Sequence, residues 1–523
     1  MAELAGPQSI RAKYFTKRNI AFFGMIVGMF MSILDIQIVA SSLPVIAAGL
    51  SATPDELSWI QTAYIIAEVA IIPLTGFTAK LLSTRISYVI ATLGFTLMSI
   101  LCAFAGNIES MIIYRALQGF FGGAMIPTVF ATIYLVFEPK ERPLVTIVIG
   151  LVVTMAPTLG PTIGGYITEI SSWHFMFLVN VIPGIFVCTV VFLYADFDKP
   201  NYSLLKNFDF IGVILLISSL GSLQYVLEEG TRKNWFESNL ILFLSIYVIC
   251  ALCTLVYHEL TTKNPILDLY AFRNRNFTIG CLLSGIIGTG LYGSVFLLPI
   301  FLGQVANLTT LQIGVIMGVM GISQFCSAPI AATMMKKNVD RRYMMAFGLL
   351  AYGIGCYLNS FLTFESRLHE LILPQMVRGF SLMFCFIPIN DIALSSLSKS
   401  EIQNASGLYN LMRNLGGATG LAIINSTLIN NSIIYRDILA SNLQTTGEIA
   451  KNNLMQISNL ISDKVANPDL GAIMIINNLL SRESFIIAIN NMFTYITILY
   501  LFGLTLIIFI KSTQTANQET NAH

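Results

Sequence analysis

Three ionisable side chains lie inside stretches of this chain that are apolar and long enough to cross a lipid bilayer. Asp35 and Glu68 interrupt the first two stretches, and Arg115 lies near the start of the fourth. Because a charged group in hydrocarbon is costly, such residues usually face a cavity or a partner charge and carry ions or protons. The pattern therefore predicts proton coupling in a membrane protein, with Asp35, Glu68 and Arg115 at the coupling site.

The composition of the whole chain agrees with that prediction. Of its 523 residues, 55% are hydrophobic and only 11% are charged, whereas soluble proteins carry about 25% charged residues. We predict an all-α polytopic membrane protein with fourteen transmembrane helices. The predicted spans are 20–42, 58–79, 87–106, 111–136, 143–168, 173–195, 208–227, 239–257, 277–301, 309–334, 343–363, 371–397, 405–430 and 487–510.

Several classes of function find no support in the sequence. The net charge of +1 and the lack of a basic repeat give no reason to expect a nucleic acid partner. No GxxxxGK[ST] string suggests direct ATP drive, and no nucleophile elbow suggests an enzyme. Adjacent histidine–carboxylate pairs such as His258-Glu259 lack the spacing of metal ligands. We expect no metal and no cofactor, with H⁺ as the coupling ion.

The basic residues predict the orientation of the spans. Arg18 precedes the first span, Lys80 and Arg85 follow the second, and further Lys or Arg residues follow every later even-numbered span. Short loops rich in Lys and Arg stay on the cytoplasmic side. We therefore predict that the N-terminal segment 1–19 and the tail 511–523 are both cytoplasmic.

This orientation predicts that Asp35 and Arg115 meet. At 1.5 Å per residue, Asp35 lies about 24 Å from the cytoplasmic start of its span, and Arg115 about 8 Å from the outer start of its own. In a hydrocarbon core about 30 Å thick, both reach the outer half. The pair is either a coupling switch that protonation of Asp35 releases or a permanent structural ion pair. Glu68, near the midplane, is a second proton site, a counter-ion for cationic ligands, or a permanently neutral acid.

A faint internal repeat predicts the domain organisation. Residues 115–127 in the fourth span and 377–388 in the twelfth share an Arg–Gly–Phe start and an Ile-Pro finish. The offset between them fits two six-helix halves, 20–195 and 277–510, with two extra helices in 208–257 between them. Internal duplication of this kind is common in secondary transporters.

The outer connection between the last two spans is unusually long. Residues 431–486 are rich in Asn, Ser and Ile, with helix-like patterning, and a connection of this length is usually functional or disordered. Apolar positions such as Ile473 and Met474 predict that the segment packs on something. It either caps the protein's own outer mouth or docks a partner.

Four strings of residues resemble the motifs of one family. They are Leu34 to Pro44 in the first span, Gly76 to Arg85 in the loop after the second, Arg115 to Gly123 in the fourth, and Gly160 to Gly165 in the fifth. Together they resemble the major facilitator superfamily, in its fourteen-spanner drug:proton antiporter branch. Within that branch the chain is similar to EmrB-like exporters, from about residue 19 to residue 430.

The resemblance implies roles for the residues in these strings. In the fourth span, Arg115 is linked to proton transfer, beside Gln118 and Gly119 of the same motif. In the fifth span, a kinked, glycine-lined helix would form a tightly packed pivot between the halves. The residues of that motif are Gly160, Pro161, Gly164 and Gly165.

Two strings depart from the family pattern. In the loop string, Gly76 and Arg85 keep the ends of the motif, but Lys80 and Ser83 stand where Asp and Gly are usual. The ion-pair latch that the Asp normally makes is therefore in doubt, although EmrB-like members share this Lys. In the first span, Gln37 replaces the usual Thr and keeps a hydrogen-bonding side chain.

The resemblance also implies an activity and partners. It implies a proton-coupled multidrug antiporter of a bacterial inner membrane that exports hydrophobic or amphipathic drugs. An EmrA-like periplasmic membrane-fusion adaptor and a TolC-like outer-membrane channel would complete a tripartite pump. Alternatives are a proton-coupled carrier of a metabolite, siderophore or lipid, and a non-transporting membrane receptor.

A central cavity between the halves is the expected substrate site. Adaptable aromatic surface suits varied hydrophobic drugs. Arg378 and Arg413, in the C-terminal half, are either structural or contact the substrate. The candidate cavity residues are Gln37, Tyr64, Phe121, Tyr292, Tyr409 and Arg413.

Overall fold

The computed structural model is helical throughout its described part, in which no strand is present. The terminal residues 1–15 and 512–523 lie outside that part, so the predicted cytoplasmic location of both segments stays a prediction. The described residues are 16–511, apart from 139–140, 208, 263–264, 338, 398, 446 and 463–466.

The first eight helices pack chiefly against one another, and we call them the N-terminal half. Their apolar side chains belong to one buried core that continues into the rest of the molecule. These helices are α1 (Lys17–Leu50), α2 (Pro54–Ile71), α3 (Thr75–Leu82), α4 (Thr84–Ala103), α5 (Ile108–Val136), α6 (Arg142–Ile170), α7 (His174–Leu178) and α8 (Val181–Tyr194).

Six later helices form a second group, which we call the C-terminal half. The two halves meet chiefly where α6 packs on α12 and where α5 packs on α15. The second group comprises α11 (Arg275–Ile300), α12 (Thr310–Lys336), α13 (Arg341–Leu358), α14 (Leu368–Ser395), α15 (Lys399–Thr445) and α17 (Pro468–Leu506). The predicted domain boundaries in the loops stay predictions.

The two extra helices bridge the halves. Helix α9 (Phe210–Glu229) pairs with α10 (Asn239–Thr261), and α9 also contacts α2 of one half and α15 of the other. The loop between them is tied to α15, because Trp235 Nε1 donates to Ser426 Oγ at 2.7 Å and Thr231 Oγ1 lies 2.6 Å from the same atom. Relative movement of the halves must therefore also move this pair.

Matching capping boxes begin α2 and α12, the second helix of each half. The Thr53 hydroxyl accepts from the amide of Glu56, and Glu56 accepts from the amide of Thr53 at 2.9 Å. Thr309 and Gln312 repeat the arrangement. The hydrogen bonds from the backbone and hydroxyl of Thr53 lower the pKa of Glu56. Reciprocal caps fix the helix start, and their repetition adds a second sign of internal duplication.

The predicted count of fourteen spans is not confirmed. In the described residues, twelve helical segments are long and apolar enough to cross a membrane, and thirteen if the two bent parts of α6 count as one span. Helix α15, which contains the predicted span 405–430, is not among them. Polar residues such as Asn410 and Arg413 lower its hydropathy, although the helix packs inside the bundle.

The helical patterning predicted for 431–486 is present in the described parts of that segment. Helix α15 has 47 residues and is about 70 Å long, so its end extends beyond the bundle. Helix α16 (Gly447–Ile461) packs on α17, and Arg436 of α15 donates to Asn477 of α17 at 2.8 Å. The side chains of Ile473 and Met474 are 53% and 58% exposed. Among the described residues, these two side chains are therefore not buried, and whether the segment docks a partner stays a prediction.

Candidate functional site

Asp35 and Arg115 form a buried ion pair inside the N-terminal half. Arg115 Nη1, from α5, donates to Asp35 Oδ2, from α1, at 2.5 Å, and neither side chain is exposed. The structure thus brings together the two residues whose calculated depths predicted contact. Buried ion pairs persist only where their remaining polar atoms are also satisfied, so the surrounding side chains matter.

Three neutral polar side chains surround the carboxylate. Asn180 Nδ2 donates to Asp35 Oδ1 at 2.6 Å, and Gln118 Nε2 donates to the same oxygen at 3.3 Å. Ser99 Oγ accepts from both amides at 3.0 Å, while Gln118 Oε1 accepts from Arg115 at 2.7 Å. The carboxylate therefore receives three hydrogen bonds from protein groups, which stabilise its charged form.

Sequence reasoning identified Gln118 through its motif but missed Asn180. Asn180 precedes α8 in the apolar stretch 174–194 and is 3% exposed. It belongs to none of the four motif strings. A lone amide in a membrane span is costly unless it is bonded, and that cost is the signal that would have identified it.

The guanidinium of Arg115 is also held entirely by the N-terminal half. Its Nε donates to the carbonyl of Ile60 at 3.2 Å, and the group lies 4.3 Å from the ring centre of Tyr64 and 5.7 Å from that of Phe177. In the described part of the chain, Nη2 has no hydrogen-bond partner. Protonation of Asp35 would therefore disturb contacts of α1, α2, α5 and α7 at once.

A second pair of opposite charges lies between the halves. Glu68 in α2 is 4% exposed, and Arg413 in α15 is 2% exposed. Counted at 1.5 Å per residue, Glu68 lies about 14 Å from Trp59 at one face, and Arg413 about 21 Å from Lys399 at the other. Both are near the midplane, within electrostatic range of each other. Among the described residues, however, no ion pair within 4.0 Å joins them.

Arg413 keeps two donors available at this interface. Its Nη2 donates to Asn410 Oδ1 at 2.6 Å, whereas Nε and Nη1 have no partner among the described residues. The rings of Phe130 and Phe386 lie 5.4 and 5.6 Å from the guanidinium. Phe130 belongs to the N-terminal half and Phe386 to the C-terminal half. A cation with free donors between two aromatic rings can bind a ligand that offers an acceptor and an apolar body.

Two of the candidate cavity tyrosines belong to this interface. Tyr292 in α11 is half-buried and within electrostatic range of both Glu68 and Arg413. Tyr409 is one turn before Arg413 in α15 and is buried. Of the predicted cavity residues, the structure thus groups Tyr292, Tyr409 and Arg413 near Glu68, which was predicted as a proton site.

Other candidate cavity residues pack within the N-terminal half. Tyr64 is fully buried, and its hydroxyl lies 3.3 Å from Ser32 Oγ. Phe121 lies against Gly94 of α4, where an added Cβ would come within 2.5 Å of its ring. The Cβ of Gln37 lies against Gly160 of α6. The structure thus assigns Tyr64 to the ion-pair network and Phe121 to helix packing.

Two motif glycines allow close contact between helices. A Cβ on Gly119 would lie 2.1 Å from the carbonyl oxygen of Tyr64, and a Cβ on Gly160 would lie 2.2 Å from Cβ of Gln37. Both distances are too short for any side chain. The fourth- and fifth-span motifs therefore bring α5 against α2 and α6 against α1.

The fifth-span string coincides with a bend in α6. The parts Leu144–Pro157 and Thr162–Ile170 meet at 50°. Beyond the bend, Thr168 Oγ1 donates to the carbonyls of Gly164 and Gly165 at 2.9 and 3.0 Å. The side chain of Pro161 lies outside the described part of the chain. A bend at a Gly-Pro string has the expected cause, and its role as a pivot stays a prediction.

The degraded loop motif has strained backbone at its altered position. Gly76 is buried, Arg85 is half-buried, and Ser83 between them has φ 78° and ψ 152°. This conformation strongly favours glycine, the residue usual at that position. Ser83 compensates in part, because its hydroxyl accepts from the amide of Ile86 and caps α4.

Asp198 makes a latch next to this loop. Its carboxylate accepts from the amide of Thr84 at 2.9 Å and from the Thr84 hydroxyl at 2.8 Å. Three residues on, the amide of Asn201 donates to the carbonyl of Lys80 at 3.2 Å. The loop is thus tied to the chain that leaves α8, even though Lys80 replaces the acid of the motif.

Comparison with known proteins decides the family. The family model described as Major Facilitator Superfamily matches residues 25–421, which is most of the chain. The chain belongs to the major facilitator superfamily. It is a multi-pass membrane protein, and the predicted resemblance to EmrB-like members of the superfamily is confirmed.

Two curated relatives and one solved structure show how far the similarity extends. The colistin resistance protein EmrB of Acinetobacter baumannii is 41% identical over 409 residues, 78% of this chain and 79% of that protein. The multidrug export protein EmrB of Haemophilus influenzae is 28% identical and covers 92% of each chain. The human organic anion transporter MFSD10 (TETRAN) superposes with a TM-score of 0.58 at 13% identity over 94% of this chain and 99% of its own, which supports the fold alone.

The superfamily match contains both charge pairs. Asp35, Glu68, Arg115 and Arg413 all lie within it, whereas the segment 431–486 lies outside it.

Proposed function

We propose that this superfamily member is a proton-coupled exporter of hydrophobic or amphipathic drugs. The observation that carries the proposal is the fully buried Asp35–Arg115 pair, whose carboxylate receives three hydrogen bonds from protein side chains. A carboxylate so placed can take up a proton only when the network around it opens. Proton uptake and helix rearrangement are then one event, which is the requirement for coupled transport.

The relatives support the drug-export part of the proposal. One is named for multidrug export and another for colistin resistance. The proposed cavity lies between the halves at Arg413 and Tyr292. Proton and drug would reach it alternately as the halves rock about the bend in α6.

Glu68 gives a second point of contact between proton and substrate. It shares α2 with Tyr64, whose ring lies under Arg115, and it faces the charge of Arg413. In the proposed cycle, protonation of Asp35 moves α2, and the movement of α2 alters the cavity. Glu68 then either binds a proton itself or serves as counter-ion to a cationic drug.

The proposal includes a tripartite assembly in a double-membraned bacterium. The protein would lie in the inner membrane with both termini in the cytoplasm, bound to an EmrA-like adaptor and a TolC-like channel. The exposed apolar side chains of Ile473 and Met474 on the protruding helices support docking there. Deleting 447–461 should abolish adaptor pull-down while leaving transport in inverted vesicles; retained pull-down contradicts docking on α16.

A second candidate is export of an anionic metabolite or lipid. The two unbonded donors of Arg413 favour it, because they suit a carboxylate or phosphate group. Counterflow in proteoliposomes separates the two: preloaded anions that accelerate uptake of the same anion identify such a carrier, whereas acceleration by cationic dyes identifies a drug exporter.

Ethidium efflux from energised cells tests the main proposal. Cells expressing wild type and adaptor should extrude ethidium, and a protonophore or Asp35→Asn should abolish extrusion. No efflux from wild-type cells contradicts drug export. Efflux that survives in Asp35→Asn but is lost in Glu68→Gln places the coupling proton on Glu68.

A further inference from the structure

Arg378 in α14 is a fully buried cation. Within the described part of the chain, no carboxylate forms an ion pair with it. Arg115 starts the matching string of the internal repeat and is neutralised by Asp35. A buried charge without a counter-charge is among the costliest features a fold can hold.

The surroundings of the two arginines are otherwise alike. Arg378 Nη1 donates to Gln375 Oε1 at 3.1 Å, as Arg115 does to Gln118. Its guanidinium lies 5.6 Å from the ring centre of Tyr352 and 5.9 Å from that of Phe493. The C-terminal half therefore repeats the guanidinium, amide and aromatic groups but not the acid.

The polar atoms left over at Arg378 are all hydrogen-bond donors. Its Nε and Nη2 and the Nε2 of Gln375 have no partner among the described residues. The hydroxyl of Tyr352, which donates to the carbonyl of Gly290 at 3.2 Å and lies 2.9 Å from Ser294 Oγ, also hydrogen-bonds Arg378, but a neutral hydroxyl does not balance the charge of the guanidinium. Buried donors are nearly always bonded, so this set calls for an acceptor, and its positive charge calls for an anion.

We propose that Arg378 and Gln375 bind one small monovalent anion of the halide type, chloride under physiological conditions. The site is closed, since both side chains are fully buried, which excludes an organic anion. One guanidinium balances one negative charge, so a divalent anion such as sulfate would leave an unbalanced negative charge in the buried site. Gly355 leaves room for the arginine stem, because an added Cβ there would lie 2.5 Å from Arg378 Cγ.

The anion takes the place that Asp35 holds in the other half. It neutralises Arg378 between α13, α14 and α17 and so stabilises the C-terminal half. Counted along α14, Arg378 is about 15 Å from the predicted outer face. The proposal does not rest on drug export or on proton coupling, since it concerns a site that neither uses.

Chloride binding to the full-length protein in detergent tests the proposal. Equilibrium dialysis with radioactive chloride should show about one saturable site per chain. At constant ionic strength, the midpoint of thermal unfolding should fall by several degrees when gluconate replaces chloride. Arg378→Gln should lose both effects. Arg436→Gln, which removes an exposed arginine, should keep both.

Three outcomes overturn the proposal. They are a wild type without saturable chloride binding, a wild type with the same unfolding midpoint in both anions, and an Arg378→Gln variant that binds chloride like wild type. If Arg378→Gln does not fold, the chloride affinity of Arg378→Lys tests the proposal instead. This variant keeps the charge but not the forked donors, so its chloride affinity should fall at least tenfold, and unchanged affinity contradicts the site.

Discussion

Nη1 of Arg115 lies 2.5 Å from Oδ2 of Asp35, and every group that holds the two side chains belongs to the N-terminal half. Neutralising Asp35 would leave the arginine as an unpaired buried cation, which is strongly unfavourable. The helices around it must then either open to water or supply a new acceptor. This is the physical link between a proton and a change of shape.

Asn180→Ala should slow transport. Asn180 donates to Asp35 at 2.6 Å, and a hydrogen bond to a charged group contributes about 1.5–3 kcal/mol. Without it, the buried ion pair loses one of the side chains that orient it, so the initial transport rate should fall about tenfold or more. The measurement is initial drug efflux in proteoliposomes. Asn491→Ala, which removes a bond to Tyr435 in the other half, is the control, and a rate equal to that of wild type contradicts the role of Asn180.

Glu68→Gln and Arg413→Gln should not act independently. Glu68 and Arg413 are buried in opposite halves and lie within electrostatic range of each other, so removing either charge changes the cost of keeping the other. Each variant should lower the initial transport rate at least tenfold, and the double variant should lose less than the two losses combined. The measurement is the initial transport rate of wild type, the two single variants and the double variant, which together form a double-mutant cycle. Strict additivity would show that the residues act at separate sites.

Ser83→Gly should stabilise the protein. Ser83 has φ 78° and ψ 152°, where a residue with a side chain costs about 1–3 kcal/mol, and the cap lost with its hydroxyl is worth only a few tenths. The midpoint of thermal unfolding in detergent should rise. Ser83→Ala keeps the strain and loses the cap, so it should be less stable than wild type. A glycine variant that is less stable than wild type contradicts the strain.

The start of α2 should weaken in acid. Hydrogen bonds from Thr53 lower the pKa of Glu56, so the stability they provide is present above the ordinary glutamate pKa and is lost as the pH falls through the lowered one. Hydrogen exchange of the amides at 56–58 should therefore show less protection at about pH 3 than at pH 6, after correction for intrinsic rates. Thr53→Ala should remove this difference; an equal loss in the variant excludes the capping box as its cause.

How much of the site can be predicted depends on which physical signal each residue carries. Asp35 and Arg115 are charges in apolar spans, and the constant rise of a helix gives their depths, so their contact could be predicted. Asn180 is uncharged and outside any motif, so nothing but its polarity marks it. The packing of Phe121 could not be predicted. The helical periodicity of the sequence and the depth of a residue in the membrane do not say which neighbouring helix its ring contacts.

The helical fold could be predicted from the sequence, whereas the predicted number of transmembrane helices is not confirmed. Apolar runs predicted the helices, and the internal repeat, which the capping boxes at Thr53 and Thr309 extend, predicted their division into halves. Helix α15 differs because buried polar residues such as Asn410 reduce its hydropathy. Asn410 is bonded within the helix itself, where its amide donates to the carbonyl of Ser406, and hydropathy does not register such a bond.

Proton flux that accompanies drug movement tests the central claim most directly. Proteoliposomes containing the purified protein and an internal pH dye would receive an outward drug gradient without an imposed pH gradient. Proton-coupled exchange predicts proton movement opposite to the drug in wild type and none with Asp35→Asn. Drug movement in wild type without any proton movement, or proton flux unchanged in Asp35→Asn, would contradict a coupling role for the Asp35–Arg115 pair.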